Sequence, residues 1–301
     1  MRFVTAVKDE RSFVGLVDER VSYIIDVQYA EEALLGSKNI PNSIIDFIRM
    51  NEVLDESIKV IEKLALEQKG AQYFYSPNDV KIKAPIPRPL KNIFCVGKNY
   101  AEHAIEMGSE ADIPEHLMMF TKAPTTVIGP NDSVLLHENI TNQLDYEGEL
   151  AIVIGKKGRS ISKEEALDYV FGYTIVNDIT ARDLQSRHKQ FFIGKSLDAS
   201  CPMGPFIAHK SIISNPNHLS LETKVNGELR QKGNTKQFIF DVQTIISVIS
   251  AGMTLEPGDI IATGTPAGVG KGFKPPRFLK QGDSIEISIE GLGTLINSVG
   301  V

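Results

Sequence analysis

The stretch LDYEGELAIVIG (144–155) decides how this chain is read. Leu150 to Ile154 form an unbroken apolar run, the pattern of a strand buried on both faces. Just ahead of it stand three acids, Asp145, Glu147 and Glu149. In a strand running through all of them, residues 145, 147 and 149 project to one face, and Tyr146, Gly148 and Leu150 to the other. Successive members of that row sit about 6.6 Å apart. Carboxylates crowded at the mouth of an apolar strand repel one another and lose hydration. They persist if protonated, paired with cations or bound to a metal. A hard divalent cation such as Mg2+ or Mn2+ prefers oxygen ligands and relieves the repulsion directly. The competing reading is a solvated edge strand with acidic gatekeepers.

Composition narrows the function. The 301 residues carry a formal charge of −6, which argues against nucleic acid as a partner, since phosphate binding needs clustered Lys and Arg. No run approaches the ~20 apolar residues of a membrane span. The opening MRFVTAVKDERSFVG lacks the apolar core of a signal peptide, so a cytoplasmic protein is expected. Cys95 and Cys201 are far apart and fit no CxxC pattern, which suits a reducing compartment and small buried packing.

Along the chain, strands are expected at 2–8, 12–18 and 21–27, then helices near 29–36, 43–51 and 53–70. In the last, Leu54, Ile58, Ile61 and Leu64 repeat at helical spacing before Gly70. APIPRPL (84–90) disfavours helix and sheet interior alike and marks a boundary between an N-terminal α+β domain (1–84) and a catalytic domain (85–301). Beyond it the chain is mostly β, with strands near 92–97, 117–122, 144–155, 171–180, 205–210, 219–231, 259–264 and 284–299. Hairpins are signalled by Asn226-Gly227 and by Gly-Leu-Gly at 291–293. Helices are expected at 99–108, 162–170, 181–189 and 240–252, the second opened by Ser162 with Glu165 three residues on. The fold class is α+β, β-dominated.

Asp178 ends the strand pattern YTIVNDIT just before a helical stretch, a common home for a functional group and also for a helix N-cap. As a third oxygen ligand it would join Glu147 and Glu149 and leave open positions on an octahedral ion. His103 and Glu106 lie three apart on one helix face, where a carboxylate can fix the imidazole tautomer for proton transfer; a surface ion pair is the plainer alternative. Lys195 sits in GKS (194–196), but a phosphate loop would need Gly at 189, which is Lys189. Beside a carboxylate site that lysine would hold an anionic group or move protons. ATGTPAGVG (262–270) does not fit dinucleotide spacing; its amides and Thr265 could grip a carboxylate, or the segment is simply a tight turn.

Five motifs in order, CVGKNYAEH (95–103), LDYEGELAIVIG (144–155), GYTIVNDITARDLQ (172–185), GKSLDASCPMGP (194–205) and TGTPAGVG (263–270), resemble the fumarylacetoacetate hydrolase family over roughly residues 85–300. The resemblance implies a mixed β-roll with a small N-terminal α/β domain, built as a homodimer. It implies Mg2+ or Mn2+ held by Glu147, Glu149 and Asp178, with Asp145 matching the pattern without being a direct ligand. It further implies a His103–Glu106 dyad on a mobile lid helix, Lys195 near the metal, and substrate contacts from Arg182, Gln185 and Thr265. A further aspartate ligand of the animal hydrolase has no counterpart here. The expected chemistry is therefore C–C bond cleavage of a small 2-oxo dicarboxylic or acylpyruvate substrate, first decarboxylation of oxaloacetate with possible acylpyruvate hydrolase activity. The alternatives are a 2-hydroxyhepta-2,4-diene-1,7-dioate isomerase or hydratase of aromatic catabolism, and a binding or regulatory protein that uses its N-terminal domain.

Overall fold

The computed structural model describes residues 1–300. Its centre is the strand Gly148–Ile154, every residue of which is buried. Leu150, Ile152 and Ile154 enter one hydrophobic core, and Ala151 and Val153 enter another on the opposite face. That division is why the run is apolar throughout rather than alternating. Val170–Asn177 and Ile260–Ala262 flank it, both antiparallel.

These three strands belong to a twelve-stranded mixed sheet. From Val170–Asn177 the sheet passes to Cys201–His209, then Arg2–Lys8, Arg11–Val17, Ile24–Asp26 and Phe74–Tyr75. On the other side Ile93–Gly97 pairs in parallel with Ile260–Ala262 and is followed by Met118–Lys122. A five-stranded sheet (Glu228–Asn234, Ser220–Val225, Ser284–Ile289, Gly293–Gly300, Ser133–Leu135) supplies the other half of the first core through Ile285, Ile287 and Leu295. The helix Val242–Ser250 adds Ile245, Ile246 and Ile249 to the same core. This is the mixed α+β, strand-rich architecture expected from the sequence.

The N-terminal residues cover the opposite face. Ile44–Arg49 and Asn51–Glu67 bring Phe47, Leu54, Ile58 and Ile61 into the second core. Phe3, Phe47 and Phe171 join there, with ring centroids 5.0 Å and 5.6 Å from Phe3 to the other two. Residues 1–84 have no sheet of their own: Arg2 pairs with Ala208 and Phe3 with Ile207, so their strands continue the catalytic sheet across the proposed boundary. Cys95 and Cys201 are free, buried members of the second core.

Two elements differ from expectation. Residues 162–170 form no α-helix: Glu165 N donates to Ser162 Oγ as expected, and the Ser162 hydroxyl in turn donates to Glu165 Oε2, but only a 3-10 turn, Ala166–Tyr169, follows before Val170 joins the sheet. The stretch 144–155 is also not one strand. Leu144–Asp145 pairs with Thr180–Ala181 in a separate two-stranded sheet, and the chain leaves strand geometry at Tyr146–Glu147.

Candidate metal centre and active site

Glu147 and Glu149 flank the start of Gly148–Ile154, and Asp178 follows the end of Val170–Asn177. These strands are antiparallel neighbours with Gly148 opposite Asn177, so the three acids converge at one end of the sheet. Asp178 N donates to Glu147 O at 2.8 Å, and Glu147 N donates to Asn177 Oδ1 at 3.0 Å. All three carboxylates are buried, and one oxygen from each lies within 4.8 Å of the others. Asp178 is not a helix cap; Ala181 precedes the helix Arg182–His188.

Asp145 is separate from this row because of the break at Tyr146. Its carboxylate accepts from Tyr146 N, Gly270 N, Lys271 N and Arg182 Nε at 2.7–3.0 Å. It ties the glycine-rich loop to Arg182, whose Nη1 lies 2.7 Å from Glu147. Arg182 Nη2 has no hydrogen-bond partner among the described residues although it is buried.

The three carboxylates differ electrostatically. Burial opposes ionisation of Glu147, yet Lys195 and Arg182 outweigh it and hold its pKa down at about 2. Lys195 Nζ donates to Glu147 at 2.7 Å and to Asp178 at 2.6 Å. Burial, and then the Asp178 and Glu147 charges, push Glu149 well above the usual carboxylate range. Glu149 accepts one hydrogen bond, from Gly264 N at 2.8 Å. Asp178 Oδ1 is ion-paired with the buried Lys122 Nζ at 2.9 Å, an ammonium that also donates to Ile179 O at 3.0 Å. Three buried carboxylates with one oxygen from each within 4.8 Å of the others, among them a glutamate with no ion-pair partner among the described residues, make a hard-oxygen donor set that fits Mg2+ or Mn2+.

A cavity of about 380 Å³ opens beside the acids, lined among others by His103, Met118, Phe120, Glu147, Glu149, Arg182, Gln185, Lys195, Thr265 and Lys271. His103 is buried on the helix Ala101–Met107, so it is no surface ion-pair residue. Its Nδ1 lies 3.4 Å from Glu106 Oε2, and Nε2 has no partner among the described residues. Glu106 in turn accepts from Gly268 N at 2.9 Å and 3.1 Å, which latches this helix to the glycine-rich loop. Thr265 lines the cavity, but its hydroxyl donates to Gly148 O and accepts from Gln231 Nε2.

The latch depends on glycine. Gly268 has φ +102°, and a Cβ there would sit 2.0 Å from Arg230 O. Gly268→Ala is expected to lose about 2 kcal/mol or more of stability, the scale of a strained backbone site with a steric clash. Denaturant midpoints check it; an unchanged midpoint would show that the loop rearranges freely.

Sequence reasoning did not find Lys122, Gln231 or Lys271. Lys122 carried a signal, a lysine ending the apolar pattern MMFTK, which demands a buried acid. Gln231 donates to Thr265 and Pro266 and accepts from Gly148 N, contacts that no local spacing foretells.

Residues 92–300 match the model of the fumarylacetoacetate (FAA) hydrolase C-terminal family. The whole chain is 57% identical to the oxaloacetate tautomerase YisK of Bacillus subtilis (strain 168), with 100% of each covered. Among solved structures, the fumarylacetoacetate hydrolase of psychrophilic Exiguobacterium antarcticum superposes with a TM-score of 0.80 at 42% identity, covering 100% of this chain and 99% of that one. The maleylpyruvate hydrolase of Sphingobium sp. SYK-6, solved with manganese(II) and pyruvate, gives 0.78 at 32% identity, with the same coverage.

Proposed function

The chain belongs to the fumarylacetoacetate hydrolase family, and on that premise we propose that it acts on oxaloacetate as a divalent-metal-dependent enzyme, in the cytoplasm and as a homodimer. The observation that carries this reading is the buried set Glu147, Glu149 and Asp178, opening on one cavity with His103, Arg182 and Lys195. A divalent ion held by those three carboxylates would supply Lewis-acid stabilisation of negative charge developing on the 2-oxo oxygen.

The chain's own groups do the rest. Arg182 Nη2, buried and unpartnered, takes an oxygen of the substrate's C1 carboxylate, and Gln185 beside it orients the same group. Lys195 holds a proton between Glu147 and Asp178 and keeps the site's charge balanced when the anionic substrate enters. His103 Nε2 moves the proton at C3, while Glu106 fixes the ring through Nδ1. Met118, Phe120 and Phe191 wall the cavity with apolar surface and limit water.

Decarboxylation, the reaction expected first from the sequence, and keto–enol conversion, the reaction in the name of the B. subtilis relative, share one intermediate. Both pass through an enolate spread over C3, C2 and the 2-oxo oxygen. Decarboxylation reaches it by breaking the C3–C4 bond and ends with a proton taken up at C3. Keto–enol conversion reaches it by removing a proton from C3 or from the enol hydroxyl and ends with a proton on the other of those two atoms. Hydrolysis of an acylpyruvate needs in addition a water activated by the dyad. The manganese and pyruvate in the Sphingobium complex support the same substrate class.

The test is a direct assay of purified, Mn2+-loaded protein, following keto–enol conversion and CO2 release from oxaloacetate and cleavage of acetylpyruvate. Conversion of oxaloacetate that is lost on chelation and restored by Mn2+ supports the reading. No metal-dependent turnover of either compound overturns it.

A further inference from the structure

The cations around the cavity are not equally employed. Arg182 is held by Asp145 and Glu147, Lys195 by Glu147 and Asp178, and Lys98 by Asp112. Lys189 has no ion-pair partner among the described residues, but it is exposed and water serves it. Lys271 is different. It is half-buried, lines the cavity, and its ammonium makes no hydrogen bond or ion pair to any described residue.

Its placement is built. Lys271 lies in the 3-10 turn Gly270–Gly272, between one position that backbone closes to any side chain and one where a Cβ would push the Glu106 carboxylate aside. A Cβ on Gly270 would sit 2.3 Å from Arg277 O and 2.6 Å from Asp145 Oδ1, and one on Gly272 would sit 2.1 Å from Glu106 Oε1. The turn is thus wedged between the carboxylate that holds Arg182 and the carboxylate that holds His103. Lys271 N donates to Asp145 Oδ2 at 3.0 Å, which fixes the backbone of the single side chain the turn carries. Burial lowers the Lys271 pKa, Arg182 lowers it further, and Asp145 opposes them from a distance without forming an ion pair with this ammonium.

We infer that Lys271 is the specificity-determining residue for a second carboxylate, pairing with the distal C4 carboxylate of a 2-oxo dicarboxylic acid whose 2-oxo end is turned toward Glu147, Glu149 and Asp178. The inference rests on the reading of the site given above and deepens it: it makes the enzyme selective for dianions over monoanionic 2-oxo acids. A half-buried cation that lines a substrate cavity without an ion-pair partner among the described residues is matched by a charge on the ligand, so a second carboxylate is recognised by this ammonium.

The test compares oxaloacetate with acetylpyruvate, in which a methyl group replaces one oxygen of the distal carboxylate, so that the ligands differ by one charge at nearly constant shape. In the full-length, Mn2+-loaded protein, Lys271→Met lowers kcat/KM for oxaloacetate about 10- to 100-fold, mainly through KM, the weight of one charge-assisted hydrogen bond. Acetylpyruvate is unaffected. Dissociation constants from calorimetry show the same split, so the result does not depend on turnover. Lys271→Arg retains most of the preference, and Lys189→Met retains all of it. Equal losses for both ligands, no loss for oxaloacetate, or a split that follows Lys189 overturns the assignment while leaving the metal-centre reading intact. A wild-type protein that binds neither compound overturns both.

Discussion

Glu149→Gln is expected to abolish stoichiometric Mn2+ binding and to lower turnover of oxaloacetate by more than the roughly 10- to 100-fold cost of losing an outer partner of a metal ligand. The amide keeps the shape of the side chain and removes the charge. Elemental analysis after dialysis reads the metal directly, and full occupancy in the variant would remove Glu149 from the site. Stability should move the other way in metal-free protein. Burial and the neighbouring Asp178 and Glu147 raise the Glu149 pKa above its unfolded value. A carboxyl raised on folding costs stability once the pH exceeds its unfolded pKa, and the cost is full above its folded pKa. Metal-free Glu149→Gln should therefore melt above metal-free wild type at neutral pH. The gap should close as the pH falls to about 4.3, the ordinary glutamate value. Equal melting temperatures at neutral pH would mean that Glu149 already has a counter-charge.

The second large effect concerns His103. His103→Ala is expected to lower kcat by about 10²–10⁴, the usual contribution of a positioned acid–base group, with metal content unchanged. Hydrolysis of an acylpyruvate should suffer more than decarboxylation, because only hydrolysis needs water activated. Glu106→Gln should give a smaller loss, since it keeps a hydrogen-bonding group beside Nδ1 while weakening the hold of Gly268 N. A wild-type rate in His103→Ala would reduce this histidine to a packing residue of its helix.

What the sequence disclosed, and what it hid, follows from the range of each interaction. Gly148–Ile154 was legible because burial on both faces leaves an unbroken apolar run. Glu147 and Glu149 were legible as a pair through strand alternation, and His103 with Glu106 through helical spacing. Asp145 was misplaced because alternation assumes an uninterrupted strand, and nothing local announces that Leu144–Asp145 pairs with Thr180–Ala181 instead. The expected helix at 162–170 failed because Val170 is drawn into the sheet beside Ile154, a tertiary demand that outweighs the capping signal. Lys122, Gln231 and the latch from Glu106 to Gly268 join residues 34 to 162 positions apart. Periodicity carries no record of such pairs.

The pairing of Arg2–Lys8 with Cys201–His209 bears on how small this enzyme can be made. Cutting at the proline-rich stretch looks, on paper, like the removal of an accessory segment. It would instead strip partners from the backbone of Ile207 and His209 and turn an interior strand into an open edge. It would also bare Val153, Phe171 and Ile207, which the N-terminal helices now cover. An unprotected edge beside a fresh apolar face is a template for self-association. A truncated catalytic fragment would therefore meet the solubility problem of an amyloid-prone sheet before it met any question of catalysis.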